Sequence, residues 1–385
     1  MKLFEYQAKD AFESRGIPVP KRRLCDSPDD VFSAAMDLGC PCVVKSQVLQ
    51  GGRGKAGLVR PMATAADARA YAEQLLNGPL GSRHGVKKVL VEEAIDIERE
   101  LYLSITVDPE AATALILACA DGGVDIEELA STAPGKIFRE KVDLGTGLLA
   151  FQARDLAYSL GLEQSLNAGF VSILTGLYKS FRDMDAELVE INPLFVTSDC
   201  RLVAGDGKLV IDDNSAFRQG GAKPSREYFD SDVAFEAALE GIPYLQFDGD
   251  ISLMCAGAGL TTVVYDLVNY EGGSVANYLE FGGPNYRKAV RAMELCLKNE
   301  PGVILIVTFG TIARADVMAE GIAEAIAKLK PSCPIVACIR GTGEEDAVRI
   351  LKAAGLEPLF DTEEAVRKAV ALSKASKAGT AGGRA

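Results

Sequence analysis

The first hydrophobic pattern in the chain has the spacing of an amphipathic helix. Its apolar positions recur every three or four residues: Leu3, Phe4, Ala8, Ala11 and Phe12. The pattern stops at Gly16, a residue suited to end a helix. The sequence therefore predicts an N-terminal helix that packs one face on a sheet.

Short apolar runs separated by turn formers follow this helix. Val43-Val44 predicts a buried strand, and Leu58-Val59 predicts its hairpin return after a glycine-dense loop. Thr64, with Asp67 three residues later, predicts a capped helix that ends near residue 76. Further strands are predicted at 89–91, 99–105 and 114–118. The first half of the chain is therefore predicted to contain largely antiparallel sheet.

The second half alternates strictly between the two patterns. Apolar runs predict strands at 251–255, 276–281, 303–309, 334–339 and 358–360, and helices at 286–299, 314–329, 344–354 and 363–373, with another from Gly259. This alternation is typical of a doubly wound α/β domain. Ligands of such sheets bind outside the carboxyl ends of the strands, so the loops 256–259, 282–285 and 310–313 should share one edge. Each loop opens a helix, whose free N–H groups could hold a carboxylate or a phosphoryl group, although glycines there also suit plain tight turns.

The segment between the two halves, 214–248, is rich in charge and glycine at its start and contains a short helical pattern at 232–239. We expect a boundary near Gly241 and two domains, at 1–230 and 241–375. The glycine-rich end, 376–385, is predicted to be disordered.

Composition narrows the class of protein. A net charge of −13 over 385 residues argues against nucleic acid or an anionic membrane as a general partner. No apolar run approaches the roughly 18 residues of a membrane span, and no signal-like segment opens the chain. The nine cysteines are scattered without zinc spacing, and the only histidine, His84, lies among turn formers and is predicted to be in a loop. The chain is predicted to be cytoplasmic and to gather anions in a local basic pocket.

The glycine-dense loop after the strand at residue 43 has the composition of a phosphate site. Residues 51–57 read Gly-Gly-Arg-Gly-Lys-Ala-Gly, and Lys45 lies at the end of the preceding strand. Glycines let backbone N–H groups turn toward an anion, and the basic side chains Lys45, Arg53 and Lys55 add charge. The run matches neither the P-loop nor the dinucleotide fingerprint, and a flexible hairpin tip is the alternative. Lys45 favours the phosphate site, because a strand fixes its position.

Two acidic segments follow. Glu190 and Asn192 lie on one predicted strand, and Asp206 lies at a tight turn after another. If the strands pair, these side chains converge as hard oxygen ligands suited to Mg²⁺ on nucleotide phosphates. An Asx turn in a solvated hairpin explains the same spacing, so the residues alone leave both interpretations open.

Several spaced motifs, taken together, resemble the β subunit of succinyl-CoA synthetase, the ADP-forming succinate–CoA ligase, over nearly the whole chain. They are Glu5-Tyr6-Gln7-Ala8-Lys9, Val44-Lys45, the glycine loop, Val91-Glu92, Glu100-Leu101-Tyr102, Gly122-Gly123-Val124-Asp125-Ile126-Glu127, Glu190-Ile191-Asn192-Pro193-Leu194, Asp206-Gly207-Lys208 and Ala256-Gly257-Ala258-Gly259-Leu260. The resemblance implies an α/β chain with an N-terminal ATP-grasp domain followed by a flavodoxin-like acid–CoA ligase domain.

The resemblance also implies roles for single residues. ATP or ADP would be held by Lys45, Gly52, Arg53, Gly54, Glu92, Ile95 and Glu100, and Mg²⁺ by Asn192 and Asp206. Glu190 would face a phosphorylated histidine. The acid would be bound by Ala256, Gly282, Gly283, Gly310, Thr311, Ile312 and Ala313. Pro20 lies where GTP-using relatives differ, which favours ATP.

The family converts ATP, a carboxylic acid and CoA into acyl-CoA, ADP and phosphate through a phosphohistidine. This chain offers no candidate for that histidine, and the resemblance assigns it, with most of the CoA site, to an α subunit in a heterodimer or heterotetramer. A large subunit similar to ATP-citrate lyase is an alternative. A nucleotide sensor without catalysis is another, against which the intact Lys45, Glu190, Asn192 and Asp206 argue.

The loops expected to hold the acid depart from the family. Ala256 replaces an asparagine, Pro284 a glycine, Thr311 a glycine, and Val307-Thr308 an Asn-Ile pair. Sites built on hydrogen bonds discriminate strongly among ligands, so three altered loops predict a small acid other than succinate. Candidates are malate, citrate or a sulfonated acid such as sulfoacetate, whose sulfonate could use hydroxyls of Thr311 and Thr308. Neutral divergence in an ordinary succinate–CoA ligase is the alternative.

Overall fold

A computed structural model describes residues 1–124, 126–215, 217–219, 226–229, 231–310 and 312–381. The chain divides into two compact units, Met1–Ala222 and Lys223–Ala385. The predicted domain limits of 230 and 241 leave a short gap between the domains. In the structure, the helix over 232–239 inside that gap belongs to the second unit.

The first unit contains seven helices and ten strands among its described residues. The helices are α1 (Glu5–Glu13), α2 (Pro28–Leu38), α3 (Ala65–Leu76), α4 (Pro79–His84), α5 (Ile126–Thr132), α6 (Ala150–Ser159) and α7 (Gln164–Asp183). The strands are β1 (Arg22–Cys25), β2 (Cys42–Ser46), β3 (Val59–Met62), β4 (Val89–Glu93), β5 (Ile97–Asp108), β6 (Thr113–Cys119), β7 (Phe138–Val142), β8 (Ala186–Thr197), β9 (Leu202–Ala204) and β10 (Lys208–Ile211).

These strands form two antiparallel sheets with separate cores. The smaller sheet has the order β1-β4-β2-β3, and its core includes apolar side chains of α2 and α3. The larger sheet has the order β10-β8-β5-β6-β7, with β9 also paired to β8, and its core includes side chains of α1, α6 and α7. The predicted hairpin around the glycine loop is confirmed, because β2 pairs antiparallel with β3.

Local sequence explains where the helices of this unit begin and end. Thr64 caps α3, as predicted, by accepting a hydrogen bond from the Asp67 N–H. The prediction that His84 lies in a loop is wrong, because 79–84 form α4. Proline at its first turn and Gly85 in the left-handed conformation at its end are strong helix boundaries that the turn-forming composition obscured.

The second unit contains six helices and five strands among its described residues. The helices are α8 (Asp232–Leu239), α9 (Ala258–Tyr270), α10 (Ala289–Leu297), α11 (Ala315–Leu329), α12 (Glu344–Ala353) and α13 (Thr362–Ala381). The strands are β11 (Tyr244–Gln246), β12 (Ile251–Cys255), β13 (Val275–Leu279), β14 (Val303–Gly310) and β15 (Ile335–Gly341).

The predicted doubly wound sheet is confirmed. Its order is β11-β13-β12-β14-β15, and every neighbouring pair is parallel except the edge pair β11–β13. One face packs against α9 and α13, and the other against α10, α11 and α12. Both faces are covered, which explains the near-continuous apolar runs of β12 and β14.

Two predictions at the end of the chain are wrong. Residues 358–360 are not a strand: Pro358 has no N–H, and the backbone hydrogen bond from this segment to the sheet runs from the Leu359 N–H to Ala337 O at 2.8 Å. The segment 376–381, predicted to be disordered, continues α13, in keeping with the helix propensity of its alanines and lysine. Residues 382–385 lie outside the described part.

Candidate active site

Lys45, at the end of β2, lies in a buried ionic cluster. Its Nζ atom lies 2.9 Å from Glu5 Oε1 and 2.9 Å from Glu92 Oε2, and it donates a hydrogen bond of 2.6 Å to the carbonyl oxygen of Gly205. Strand pairing fixes this position, because β2 lies between β3 and β4 in the smaller sheet. Lys45 and Glu92 therefore meet on neighbouring strands.

Arg53 extends the cluster from the glycine-rich loop. Its guanidinium contacts Glu5 Oε2 at 2.6 Å and Asp206 Oδ2 at 2.7 Å, and it also donates to the backbone oxygen of Ser46. Lys9, on α1, is a third cation, with Nζ 2.8 Å from Glu5 Oε1 and a further contact to Glu92. Three cations thus face three carboxylates in one network, which we call the basic cluster: Lys9, Lys45, Arg53, Glu5, Glu92 and Asp206.

The charges of the basic cluster support one another. Burial works against the ionised form of Glu5, but Lys45, Lys9 and Arg53 overcome it and hold its pKa well below the ordinary value. Burial likewise opposes the charge on Lys45, and Glu5 and Glu92 reverse this and raise its pKa. The pKa of Asp206 is raised by burial and by the neighbouring charge of Glu5. The network can therefore present two fixed cations, Lys45 and Arg53, to an anion.

Asn192 and Asp206 lie across one hairpin, as the metal hypothesis requires. The pairs Leu194↔Ala204 and Glu190↔Lys208 share one register, so β9 and β10 run on in one direction beside β8, and Asn192 stands opposite Asp206 in the short break between them rather than at the predicted tight turn. Asn192 Oδ1 accepts the Gly123 N–H at 2.8 Å, and Asp206 Oδ1 accepts the Gly207 N–H at 2.7 Å.

The donor chemistry of this pair fits Mg²⁺. A carboxylate and an amide are hard oxygen ligands with lone pairs beyond those used here. Within the described residues, no group of three or more histidine, cysteine, aspartate or glutamate side chains is arranged to hold a metal. A divalent cation at this pair would therefore draw its remaining ligands from nucleotide phosphates and water.

Glu190 is a partly buried carboxylate on β8. It pairs with Ser104 across β5, and the Tyr102 hydroxyl donates to its Oε2 at 3.4 Å. Burial raises the pKa of Glu190. The negative charges of Asp206 and Glu127 raise it further, and the positive charge of Lys208 partly opposes the rise. Burial and the charge of Glu190 raise the pKa of Tyr102 in turn, so Tyr102 remains a hydrogen-bond donor. Such a carboxylate can accept a proton or orient a cationic partner.

Gly52, Gly54 and Glu100 are further residues predicted to bind the nucleotide. Gly52 and Gly54 lie in the loop with open space where a Cβ would be, and Gly52 has φ of +73°. Lys55 is exposed in the same loop. Glu100, on β5, lies against the turn at Gly123, where a Cβ would come within 2.6 Å of Glu100 Oε2. Their roles stay predictions.

Ile95, directly after β4, borders a cavity of about 510 Å³. The cavity lies between the segment 93–96 and the β8–β9 turn, and the side chains that line it are largely polar. Ile95 is partly exposed at this rim. The cavity therefore leaves space for a ligand beside Ile95, and its contact with a nucleotide stays a prediction.

The loops predicted to bind an acid lie at the carboxyl ends of β12, β13 and β14. Gly282 packs on the first loop, because a Cβ there would lie 3.3 Å from Ala256 Cβ and 3.0 Å from Gly257 N. Gly283 has φ of +49°, and Gly310 is buried. Ile312 is 96% exposed and Ala313 is partly buried. Thr311 lies outside the described residues. The structure thus brings together Ala256 and Gly282.

Comparison with known proteins decides the family. Residues 2–196 match the ATP-grasp domain family, and residues 254–372 match the CoA-ligase family. The chain is 42% identical to the β subunit of the ADP-forming succinate–CoA ligase of Ignicoccus hospitalis, over 98% of this chain and 100% of that one. The chain belongs to the ADP-forming acid–CoA ligases. The predicted order, an ATP-grasp domain followed by a CoA-ligase domain, is confirmed.

Two relatives are more similar to this acid–CoA ligase chain. One is the ADP-forming sulfoacetate-CoA ligase subunit SauC of Bilophila wadsworthia, 57% identical over 97% of this chain and 99% of the relative. Another is the ADP-forming sulfoacetate-CoA ligase subunit SqwK of an Acholeplasma species, 55% identical over 98% and 93%. Among solved structures, the ATP citrate lyase of Methanothrix soehngenii has the same fold, with a TM-score of 0.73 at 20% identity over 96% of this chain and 99% of that one.

ADP-forming ligases with an ATP-grasp domain use ATP and generally Mg²⁺, which agrees with the hard oxygen donors and the fixed cations of this acid–CoA ligase. None of the helices in the described ranges is long and apolar enough to cross a membrane.

Sequence reasoning missed the central carboxylate of the ligase's basic cluster. Glu5 contacts all three cations, and Lys9 lies one turn later on α1. A signal was available: Glu5, Ala8, Lys9 and Phe12 have the i, i+3, i+4, i+7 spacing of a buried helix face, and all four are buried. An acidic and a basic residue on such a face must find partners inside the protein.

Proposed function

We propose that this chain is the nucleotide-binding subunit of a ligase that joins sulfoacetate to CoA. The reaction converts ATP, sulfoacetate and CoA into sulfoacetyl-CoA, ADP and phosphate, and forms a carbon–sulfur bond. The observation that carries the proposal is 57% identity, over 97% of this chain, to a subunit named for sulfoacetate, against 42% for a succinate–CoA ligase β subunit. The altered loops at Ala256 and Thr311 support the same acid.

The basic cluster would bind the nucleotide. Lys45 and Arg53 would hold phosphate oxygens, and the N–H groups of Gly52 and Gly54 would approach them closely. Asn192 and Asp206 would hold Mg²⁺, which when bound offsets the charge of the phosphates. Arg53 and Asp206 contact each other in the structure, so each would exchange that contact for the incoming group. Glu5 would keep Lys45 and Arg53 in place during the exchange.

Glu190 would orient a histidine that receives the γ-phosphoryl group. Burial disfavours the ionised form of Glu190 unless a cation or an N–H donor lies beside it. An imidazole can supply either one. The chain's own histidine, His84, ends α4, which packs on α3 away from the strands that carry Glu190. The histidine would therefore come from a partner α subunit, which would also supply most of the CoA site.

The acid would bind at the loops after β12, β13 and β14. The phosphoryl group would pass from the histidine to the carboxylate of sulfoacetate, and the thiolate of CoA would then displace phosphate from the acyl phosphate. The sulfonate end, which does not react, would be the part recognised by this chain.

An assay with both subunits tests the proposal. The chain and its partner would be incubated with ATP, CoA and one acid from a panel of succinate, malate, citrate and sulfoacetate, with ADP release measured beside loss of the CoA thiol. We expect the highest kcat/KM for sulfoacetate, with one ADP per thioester. If kcat/KM is highest for succinate, the chain is an ordinary succinate–CoA ligase subunit and the proposal is wrong. Formation of acetyl-CoA from citrate would identify a lyase.

A further inference from the structure

Thr308, on β14, carries a buried hydroxyl without a hydrogen-bond partner among the described residues. The residue is 0% exposed, and in the described part of the second unit no other buried side-chain nitrogen or oxygen lacks a partner. A buried hydroxyl without a partner is destabilising, because it has given up its hydrogen bonds to water. Such a group needs an explanation, and a role in binding a ligand provides one.

The position of Thr308 in the sheet is where a ligand is expected. The chain leaves β12 through α9 on one face and leaves β14 through α11 on the other. These two strands are neighbours, so the sheet's topological switch point lies between them. Ligands of doubly wound sheets bind in the crevice at this point, outside the carboxyl ends of the strands. Thr308 is two residues from the end of β14.

Ala256 is the neighbour of Thr308 across the crevice. Cys255 pairs with Val307, and the Ala256 N–H donates to Val307 O at 3.1 Å, so the next pair is Ala256 beside Thr308. Ala256 and Thr308 lie on the same face of the sheet as Met254 and Ile306, which precede them by two residues. Neighbouring strands lie about 4.8 Å apart. Ala256 is partly exposed, so a small group resting on its methyl comes within reach of the Thr308 hydroxyl.

Free backbone donors lie at the same edge. Helix α9 begins at Ala258, directly after Gly257, and no side chain caps it. Its first-turn N–H groups and positive end favour an anion. A sulfonate has three oxygens, so it can accept from this turn and still accept from a hydroxyl. A carboxylate, with two oxygens in one plane, satisfies both donors less well.

We propose that the Thr308 hydroxyl is a specificity-determining donor to the sulfonate of the acid substrate, beside Ala256 in the β12–β14 crevice. The inference rests on the proposed function and adds the residue that recognises the sulfonate, the non-reacting end of the acid. Removing the hydroxyl therefore weakens use of sulfoacetate and leaves use of ATP unchanged.

The test uses the two-subunit enzyme with Thr308→Val, which keeps the shape of the side chain and removes the hydroxyl. We expect kcat/KM for sulfoacetate to fall about 10- to 100-fold relative to that for succinate, since hydrogen bonds to charged groups are strong. The KM for ATP should not change, and the thermal midpoint of the ligand-free enzyme should stay equal or rise. Thr308→Ser should recover most of the activity.

Ser252→Ala is the matched control. Ser252 is buried on β12, near the opposite end of the sheet, and its hydroxyl donates to Cys296 O at 3.2 Å. We expect this variant to lower the thermal midpoint and to keep the ratio of sulfoacetate to succinate use.

The outcomes separate the two claims. If the wild-type enzyme prefers sulfoacetate and Thr308→Val keeps the same preference, the role of Thr308 is wrong and the proposed function stands. A variant that loses stability and all acids alike would show a structural role, which also overturns the inference. A wild-type enzyme that prefers succinate overturns the proposed function and the inference with it.

Discussion

Glu190 meets two opposing demands. In the proposed role its carboxylate must be ionised to orient a cationic imidazole, yet burial raises its pKa and favours the neutral form. A surface carboxylate on a strand would have no such conflict. The same residue therefore lowers stability in the free chain, and under the proposed function a partner histidine would supply the missing charge.

Glu190→Gln separates these effects. We expect phosphoryl transfer to the partner to be lost, falling at least about 100-fold, as is typical when a positioned acid–base group is removed. ATP binding, measured by calorimetry, should change little because the basic cluster is intact. The control is Glu187→Gln, an exposed carboxylate on the same strand. Transfer by Glu190→Gln at the wild-type rate would refute the assigned role.

The pH dependence of stability gives the same substitution a second readout. Because the folded pKa of Glu190 is raised, its contribution is fully present below the unfolded value of about 4.3 and is lost as pH rises through the folded pKa. The Gln variant does not titrate. We expect it to unfold at higher denaturant concentration than the wild type at pH 7, with the gap closing near pH 4. An unchanged gap would contradict the raised pKa.

Part of the basic cluster could be predicted from the sequence. Lys45 and Arg53 were found because glycines and cations stood together, and the structure brings both into one cluster. Glu5 was missed because two of its three cationic partners, Lys45 and Arg53, are 40 and 48 positions away. Contacts of that range depend on how the sheets pack, which periodicity does not specify.

At the scale of elements, the segment 205–207 between β9 and β10 connects the predicted metal pair to the basic cluster. The carbonyl oxygen of Gly205 accepts from Lys9 at 2.8 Å and from Lys45 at 2.6 Å, and Asp206 follows it. A Cβ at Gly205 would lie 2.3 Å from Phe195 Cε2. Glycine is therefore required here by close packing.

Gly205→Ala tests this connection. We expect the free energy of unfolding to fall by about 1–3 kcal/mol, because Phe195 or the segment 205–207 must shift. ATP affinity should fall as well, since the carbonyl that aligns Lys45 moves with this segment. Gly135→Ala is the control: no atom lies within 4 Å of its Cβ position, and its φ is not in the left-handed region, so we expect a change within about 0.5 kcal/mol. Equal effects of the two substitutions would contradict the argument.

Elements with strong periodicity were predicted correctly, and weakly patterned ones were not. The strands β12 and β14 and the helix α11 stand near their predicted limits, because long apolar runs and amphipathic stripes leave few alternatives. The false strand at 358–360 rested on three residues that begin with proline. Helix α4 was missed because six residues cannot show a helical period.

At the scale of the whole molecule, the net charge opposes the binding of an anion. The chain carries a net charge of −13, and the three cations Lys9, Lys45 and Arg53 are paired with the three carboxylates Glu5, Glu92 and Asp206. An acidic exterior repels nucleotide at long range, so binding depends on this local cluster. Composition indicated a local anion site, whereas the proposal of one acid rests on relatives, because only a few loop residues distinguish one small acid from another.

The central claim is that this chain binds ATP and passes its γ-phosphoryl group to a histidine of a separate subunit. The most direct measurement incubates [γ-³²P]ATP and Mg²⁺ with this chain, its partner, or both, and separates the chains before counting. We expect acid-labile label on the partner, only when both chains are present and not with Glu190→Gln. Label on His84 of this chain, or acyl-CoA formed by this chain alone at the rate of the two-subunit enzyme, would contradict the account.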